Sequence, residues 1–416
     1  MITRMTVVLL VMLAVFSAAS AQDQPPPAGK EPAQPKADVS AVAQANNVFG
    51  CELYAKLKAQ AGNLFFSPAS IHSALGMTYA GAAGQTADQM AGTLHFELPA
   101  DRLHKAFGLL TNDLNNPSKR GPDPAYQLVV SNALWLQKGY PFRDSFTKLV
   151  KDNYGAGLNE VDYAAGEPAR KTINDWVEKA TRDKIKDLIP PGVLDALTRL
   201  VLTNAVYFKS DWADTFPEHA TKAGPFRLGE GKTASAPLMT QWIHVGYMET
   251  EDFQLADLPY KANVLSMTVL LPRKADGLKA LEERLSAKAL AEWLGKAAVT
   301  HVDLTLPRFK FTSQFGLKGP LSQLGMVEAF DPGKADFSGM TTSEKLFISA
   351  VLHKAFVAVD EKGTEAAAAT AVAISATAMP MEPKIIFRAD RPFLFLIRHR
   401  PTGAVLFLGR VANPGA

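Results

Sequence analysis

Cysteine is almost absent from this chain: Cys51 is the only one among 416 residues. An intramolecular disulfide is therefore excluded, and no cysteine cluster can hold a metal. Cys51 lies in "VFGCELYAKL", a helical pattern that predicts a small buried hydrophobe and not a reactive thiol. Stability must come from a core, which 47% hydrophobic residues over this length can supply.

The chain also lacks an excess of either charge. There are 44 Lys and Arg residues against 41 Asp and Glu residues, a net charge of +3, and the two signs are interspersed. A nucleic acid or a membrane surface that binds through bulk charge is therefore not an expected partner.

Catalytic and metal-binding motifs are missing or incomplete. No pair among the eight histidines has helical metal-ligand spacing, and neither His-Glu-x-x-His nor Gly-x-Ser-x-Gly occurs. "GEGKT" at 229–233 lacks the first glycine of a phosphate loop, so it indicates a hairpin turn. Ser145 and Lys148 have the Ser-x-x-Lys spacing of penicillin-recognising enzymes without the partner motifs, which favours a solvated helix face. We predict no enzyme, no cofactor and no metal site.

Only one long apolar run occurs, from Val7 to Phe16, after a basic start at Arg4. The run is too short for a membrane span of about 20 residues, and Ala19-Ser20-Ala21 fits signal-peptidase cleavage. We expect residues 1–21 to be a signal peptide, with an uncleaved anchor as the alternative. The protein is then secreted, to the periplasm or the outside of the cell, and the mature chain has no membrane span.

The mature chain divides into two parts by composition. Residues 22–38, "QDQPPPAGKEPAQPKAD", are rich in proline and polar residues, which predicts a disordered or extended leader. No comparable linker and no repeat follow, so we expect one large domain over residues 39–416.

Helical patterns fill the first half of that domain and strand patterns the second. Val42, Phe49 and Leu57 belong to one apolar helix face, and another amphipathic helix is predicted between Arg170 and Ile185. "SPAS" predicts a helix capped by Ser67, and Thr86 with Gln89 has the spacing of a capping box. Strand patterns include "YQLVVSNALWL", "LVLTNAVYF", "VLSMTVLLP" and "HVDLTLPRFKF", and "PFLFLIRHRPTGAVLFLGRVANP" predicts a hairpin. Helices first and strands later indicate an α+β fold.

The stretch "GTEAAAATAVAISATAMPM", from Gly363 to Met381, fits no single element. Alanine favours helix, whereas the interspersed Thr, Val, Ile and Ser favour strands or caps. Composition alone leaves a surface helix, a flexible loop and a strand open.

Four long segments in order resemble the serpins, the serine protease inhibitor family. They are "NLFFSPASIHSALGMTYAGAAGQT", "LTNAVYFKSDW", "VLHKAFVAVDEKGTEAAAATAV" and "RPFLFLIRHRPTGAVLFLGRVANP". The resemblance implies three β-sheets, surrounding helices, and an exposed reactive-centre loop that inserts into the main sheet after a protease cuts it. Strand addition of this kind is a known property of serpins.

Residue chemistry supports that role for the Ala-rich stretch. Laid out as a strand, one face begins at Thr364 and continues through Ala366 and Ala368, and after Glu365 neither face carries a charge. A central strand needs such a set, because a buried unpaired charge is costly and proline removes a ladder bond. The stretch is therefore predicted to be a strand that has yet to enter its sheet.

The resemblance also assigns roles to single residues. The sheet-opening region includes a polar cluster and the point where the loop enters, and the corresponding residues are Ser67, Ser70, Asn204, His353, Trp212 and Arg308. The loop hinge comprises Glu361, Gly363, Thr364, Ala366 and Ala368, with Arg308 and Glu361 expected to form an ion pair. Simpler roles are a helix cap for Ser67, a buried satisfied histidine for His353 and core packing for Trp212.

Two functions follow from the resemblance. The first is inhibition of a serine protease. The segment from Gly363 to Ala369 favours it, because this segment is small and uncharged apart from Glu365, whereas non-inhibitory serpins tend to carry charged, bulky or proline residues there. The second is a carrier, chaperone or storage role. The expected reactive bond is Thr377–Ala378, with Ala378–Met379 as the alternative. Small residues there favour an elastase-like or subtilisin-like target over a trypsin-like one. The protein is expected to be a monomer.

Overall fold

A computed structural model describes residues 34–115, 126–154, 157–229, 231–341, 345–364 and 385–415. Within these residues the helices are α1 Gln34–Leu57, α2 Pro68–Tyr79, α3 Gly84–Leu94, α4 Ala100–Asn115, α5 Asp144–Tyr154, α6 Glu167–Ala180, α7 Leu278–Arg284, α8 Ala287–Lys296 and α9 Lys318–Gln323.

Most of the strands follow α6, in the second half of the chain. The strands are β1 Leu64–Phe66, β2 Gln127–Gln137, β3 Gly157–Val161, β4 Leu200–Asp211, β5 Lys222–Gly229, β6 Lys232–Glu249, β7 Phe253–Pro259, β8 Leu265–Pro272, β9 Ala298–Pro307, β10 Phe309–Gly316, β11 Ala350–Val359, β12 Gly363–Thr364, β13 Ile385–Arg388, β14 Phe393–His399 and β15 Val405–Val411. The predicted α+β class is confirmed.

The main sheet has six strands in the order β10-β11-β12-β4-β2-β3. A second sheet has the order β1-β15-β14-β8-β7-β6-β9-β13, with β5 also paired to β6. Because β6 is 18 residues long, it pairs with β5 and β9 and, at its end, with β7. Two of the three expected sheets are thus joined through one strand, and the described strands form two hydrogen-bonded sheets.

Both faces of the main sheet are covered, so its central strands are apolar. A large core lies between it, the second sheet and helices α1, α2 and α4, and a smaller core lies under α6 on the other face. From Leu200 to Phe208, β4 is buried on both faces. Continuous apolar strands are what such a sandwiched position requires.

Several local predictions are confirmed. The apolar face of α1 is buried, and Ser67 caps α2 by accepting a hydrogen bond from the Ser70 amide. β5 and β6 form the predicted hairpin, in which Gly229 and Gly231 have φ of 93° and 73°. Only glycine adopts these angles without strain.

Two expectations need correction. Helix α1 begins at Gln34, inside the segment expected to be an extended leader, because Asp38 is buried and pairs with Arg102 through two hydrogen bonds. The rest of that leader lies outside the described residues. The capping-box prediction is wrong: α3 begins at Gly84, and Thr86 lies inside the helix, where its hydroxyl accepts a hydrogen bond from the Asp336 amide.

Candidate functional site

The site is the seam between β4 and β11, the two parallel strands at the centre of the main sheet. Six residue pairs join them, from Ala350–Val201 to Ala355–Val206. Beyond these pairs the strands separate, and the two-residue strand β12 lies between them. The sheet therefore contains a partly filled gap at one end and a closed seam at the other.

A tight turn after β11 directs the chain into this gap. The Asp360 carboxylate accepts hydrogen bonds from the Lys362 and Gly363 amides, and the Asp360 amide donates to the Gly363 carbonyl. The chain thus reverses within four residues, and β12 runs antiparallel to both neighbours. A Cβ on Gly363 would collide with the Ser210 carbonyl oxygen, so only glycine fits there.

Thr364, which pairs with both Val359 and Ser210, is buried at 2% exposure. Its hydroxyl lies 2.6 Å from the Tyr260 hydroxyl. Burial raises the pKa of Tyr260, so the phenol stays protonated and neutral. The first residue of the predicted strand is therefore already inside the sheet.

Trp212 lies against the turn that leads from β11 into the gap. Its ring stacks on Tyr260 with 4.6 Å between centroids, and its indole N–H donates to the Asp360 carbonyl at 3.0 Å. Its amide donates to the Lys362 carbonyl at 2.8 Å. Trp212 thereby fixes the turn that carries the chain from β11 into β12.

Glu361 anchors the same turn through its side chain. The carboxylate is buried, and its Oε1 atom accepts hydrogen bonds from Thr221 and from Arg308 at 2.5 Å each. Burial alone would raise the pKa of Glu361, but these two hydrogen bonds, a backbone hydrogen bond and the charge of Arg308 together lower it. The ion pair implied for Arg308 and Glu361 is present.

A polar row crosses the closed part of the seam. Asn132 on β2, Asn204 on β4 and His353 on β11 share one register row. Asn204 donates from Nδ2 to Asn132 and to the Ser70 hydroxyl at 2.5 Å each, and His353 Nδ1 contacts Asn204 Oδ1. Three strands and helix α2 are therefore tied together at the point where they must separate if another strand is to enter.

The contacts of His353 define its proton. The Ser67 amide can only donate, and it points at Nε2 at 3.1 Å, so the proton is on Nδ1 and is donated to Asn204. Complete burial lowers the pKa of His353 to about 3, so the ring is neutral near pH 7. A protonated ring could not accept the Ser67 hydrogen bond.

Ser67, His353 and Trp212 each have the simpler structural role that the sequence also allowed. Ser67 caps α2 and also donates to the Leu406 carbonyl at 2.7 Å. His353 is a buried histidine with both ring nitrogens bonded, and Trp212 is packed at 3% exposure. Among the expected hinge residues, Ala366 and Ala368 lie outside the described residues, as do Thr377, Ala378 and Met379.

Three residues of the site were missed from the sequence. They are Asn132, Thr221 and Tyr260. Asn132 gave a usable signal, because an amide in the apolar strand pattern "YQLVVSNALWL" needs a buried partner. The sequence around Thr221 and Tyr260 contains no motif that marks them. Their partners Glu361 and Thr364 are more than 100 residues away in the chain.

Neither of the weak chemical motifs forms a site among the described residues. Lys148 is exposed and pairs with Asp152 at 2.7 Å, one turn along α5, while Ser145 faces solvent. No group of three or more metal-ligating side chains was found in the described ranges. No described helix is long and apolar enough to cross a membrane.

Comparison with known proteins decides the family. Residues 44–414 match the family model described as serpin (serine protease inhibitor). This chain belongs to the serpin family. Leukocyte elastase inhibitor A of Rattus norvegicus is 42% identical over 384 residues, which cover 90% of this chain and 99% of that protein. The human leukocyte elastase inhibitor is 41% identical over 385 residues, with the same coverage.

Solved serpin structures have the same fold. Human thyroxine-binding globulin in complex with thyroxine superposes with a TM-score of 0.82 at 30% identity, covering 91% of this chain and 99% of that one. Uncleaved ovalbumin gives a TM-score of 0.81 at 30% identity, covering 90% and 100%. The family model is described as a serine protease inhibitor and both relatives are named as inhibitors, which places this chain among inhibitors and not among enzymes.

Proposed function

We propose that this serpin inhibits an elastase-like serine protease as a suicide substrate. The observation that carries the proposal is the gap between β4 and β11, already entered by Gly363 and Thr364. The residues that follow are small and uncharged apart from Glu365, so they suit a central strand. The 41–42% identity to leukocyte elastase inhibitors supports the target class.

The protease first forms an acyl-enzyme with the loop, and loop insertion then competes with hydrolysis of that ester. The protease serine oxygen attacks the carbonyl carbon of Thr377, the Thr377–Ala378 bond breaks, and the amine of Ala378 leaves with a proton. An ester then joins the protease to Thr377. If the loop enters the seam before water hydrolyses the ester, the acyl-enzyme is carried along and trapped.

The target class rests on the residues around the reactive bond. Between Ser375 and Met379 the side chains are small or apolar, and none is basic. A trypsin-like pocket would leave its buried carboxylate unpaired, whereas a shallow elastase-like pocket accepts Thr or Ala. Thr377–Ala378 is the favoured bond and Ala378–Met379 the alternative.

The test is to incubate the protein with an elastase, a subtilisin and trypsin and to run denaturing gels. We expect a denaturant-resistant band at the summed mass with elastase, and a released peptide that begins at Ala378 or Met379 in mass spectrometry. Clean cleavage by every protease, with full protease activity afterwards, would favour the carrier, chaperone or storage role. Efficient trapping of trypsin would contradict the assigned specificity.

Export and a monomeric state belong to the same proposal. The basic start, the short apolar run and Ala19-Ser20-Ala21 support cleavage of residues 1–21 and secretion. N-terminal sequencing of the secreted protein should begin at Gln22. Sedimentation should give the mass of one chain, since one loop and one seam suffice for the reaction.

A further inference from the structure

Four charged side chains meet where β5, β13 and β14 come together in the second sheet. Asp390 follows β13, and its Oδ1 atom accepts hydrogen bonds from Arg227 at 2.6 Å and from Arg391 at 2.9 Å. Its Oδ2 atom accepts a hydrogen bond from Arg388 Nε at 3.3 Å. We call Arg227, Arg388, Arg391 and Asp390 the arginine cluster.

One carboxylate cannot balance the charge of the arginine cluster. Three guanidinium groups share the Asp390 carboxylate, which leaves a net charge of +2 on the four side chains. The neighbouring pair of Arg273 and Glu249, joined at 2.5 Å, is neutral as a whole and does not reduce this excess. Among the residues that the structure describes, Asp390 is the only acidic side chain that forms an ion pair with the three arginines. The cluster therefore lacks negative charge.

Arg391 makes this excess charge costly, because its side chain is only 9% exposed. Its Nε and Nη1 atoms also donate to two backbone carbonyl oxygens, at 2.6 Å and 3.2 Å, which fix the guanidinium in place. Burial lowers the pKa of Arg391, and the Asp390 carboxylate raises it. The charges of Arg227 and Arg273 lower it further, so the pKa of Arg391 is below its ordinary value. Asp390 alone therefore does not compensate for the burial and the like charges around Arg391.

The two outer arginines leave the cluster open to a ligand. The side chains of Arg227 and Arg388 are 47% and 49% exposed, and each uses one of its five N–H donors on Asp390. Because both bond the same carboxylate, their two contacting nitrogen atoms are at most about 8 Å apart. A phosphate or sulfate group with a hydrogen bond of about 2.8 Å on either side spans a similar distance. One such anion therefore reaches both arginines.

We propose that the arginine cluster binds a tetrahedral oxyanion, phosphate or sulfate, either as the free ion or as the end group of a monoester. A doubly charged anion matches the net charge of the cluster, and guanidinium groups bind such oxygens through paired hydrogen bonds. The anion accepts hydrogen bonds from Arg227 and Arg388 while Asp390 keeps its bond to Arg391. It thereby links β5 to β13, the first described strand after the reactive-centre loop, and stabilises the attachment of β13 to the second sheet.

The test measures the unfolding temperature of the intact protein during titration with phosphate or sulfate at about pH 8, where phosphate groups are doubly charged. Sodium chloride keeps the ionic strength constant, and low millimolar anion avoids the general stabilisation that these salts cause at high concentration. We expect the unfolding temperature to rise and to saturate, as binding to the folded state requires. Arg227→Gln and Arg388→Gln should each need at least about tenfold more anion for half of the rise, because charge-assisted hydrogen bonds are lost.

Arg400→Gln is the matched control, because Arg400 is exposed and lies beyond the other end of β14, about 30 Å from Arg391 along the strand. It should titrate like the wild type. A rise no larger than in sodium chloride alone would overturn the proposal, as would an unchanged titration in both cluster variants or an equal loss in Arg400→Gln. Asp390 would then only hold the three strands together.

The two sources of the anion are distinguished by a titration with the monoester O-phosphoserine beside inorganic phosphate. Half of the rise at a lower monoester concentration assigns the site to a phosphorylated molecule, and half of the rise at a lower phosphate concentration assigns it to the free ion. Either result supports the site, and the absence of a saturable rise with both refutes it. No protease takes part in this measurement, so its outcome is independent of the proposed function.

Discussion

Thr364 is the first side chain of the loop to lie between β4 and β11, in surroundings that offer no partner for a charged group. It is 2% exposed and contacts the neutral Tyr260 hydroxyl. In Thr364→Arg, an unpaired guanidinium would have to enter the sheet at a penalty of several kcal/mol. Because Thr364 is already buried in the intact protein, we expect this variant to unfold at a lower temperature than the wild type, to be cut by the target protease and to release it active.

Thr364→Ser is the control for that variant, since it keeps the hydroxyl and adds no charge. Denaturing gels should show the trapped complex with Thr364→Ser and only the cleaved chain with Thr364→Arg. Trapping by Thr364→Arg at the wild-type ratio of serpin to protease would show that insertion does not begin at this residue.

His353 makes the stability of the sheet depend on pH. Its pKa is about 3 in the folded protein against a usual 6.5, so it binds a proton more readily when the chain is unfolded. Its stabilising contribution is complete above about pH 6.5 and is lost as the pH falls towards 3. His72 and His104, whose pKa values burial lowers to about 4, act in the same direction.

Replacing His353 by Gln removes one titrating group from this set. We expect the urea midpoint of His353→Gln to fall less steeply between pH 6.5 and 4.5 than that of the wild type. The difference approaches about 1.4 kcal/mol per pH unit for one proton. His219→Gln, at an exposed position, is the control and should follow the wild-type curve. Parallel curves for wild type and His353→Gln would refute the role of this histidine.

At this scale, residues with local partners could be predicted and residues with distant partners could not. Ser67 was predicted as a helix cap because its partner amide is three residues away. Tyr260 was missed because its hydroxyl partner, Thr364, is 104 residues distant. The sheet-opening roles expected for Asn204, His353 and Trp212 came from resemblance to a family, because each residue alone fits ordinary core packing.

At the scale of elements, the six pairs between β4 and β11 are what a new strand must break. Ala205 and Lys354 form one of these pairs. Neighbouring strands are about 4.8 Å apart, within the range that a disulfide spans. We expect the oxidised double variant Ala205→Cys, Lys354→Cys to be cleaved without trapping, because the locked seam cannot admit the loop.

Reduction should restore trapping in the same sample, which separates the lock from damage caused by the substitutions. Burial raises the pKa of Cys51 to about 12, so that thiol should not compete for the oxidant. The single variant Lys354→Cys, treated with the same oxidant, is the control. Equal trapping by the oxidised and reduced double variant would show that the loop does not use this seam.

Long elements were predictable, and their ends and sheet partners were less so. The periodicity of α1 and α6 and the apolar runs of β4 and β15 identified these elements because burial follows the repeat of each. The start of α3 was misplaced because the Thr86 hydroxyl bonds Asp336, across the fold, and does not cap its own helix. β12 has only two residues, and its position depends on the gap between two strands that are far apart in sequence.

At the scale of the whole molecule, we expect the main sheet to accept one more strand between β4 and β11. Beyond Thr364, we expect strand hydrogen bonds of the loop to form only after cutting, because β11 and β13 hold its two ends in different sheets. The native state is therefore expected to be kinetically trapped above a more stable cleaved form. The turn at Asp360 and the first pairs of β12 mark where that conversion begins.

The most direct test of loop insertion is to compare the unfolding temperature of the intact protein with that of the protein nicked between Ser375 and Met381. A protease that the serpin does not trap should make the cut. Thirteen residues from Glu365 to Thr377 would then gain strand partners. At roughly 1 kcal/mol for each net hydrogen bond, the unfolding temperature should rise by on the order of 10 °C or more. An unchanged or lower unfolding temperature in the nicked protein would contradict insertion of the loop.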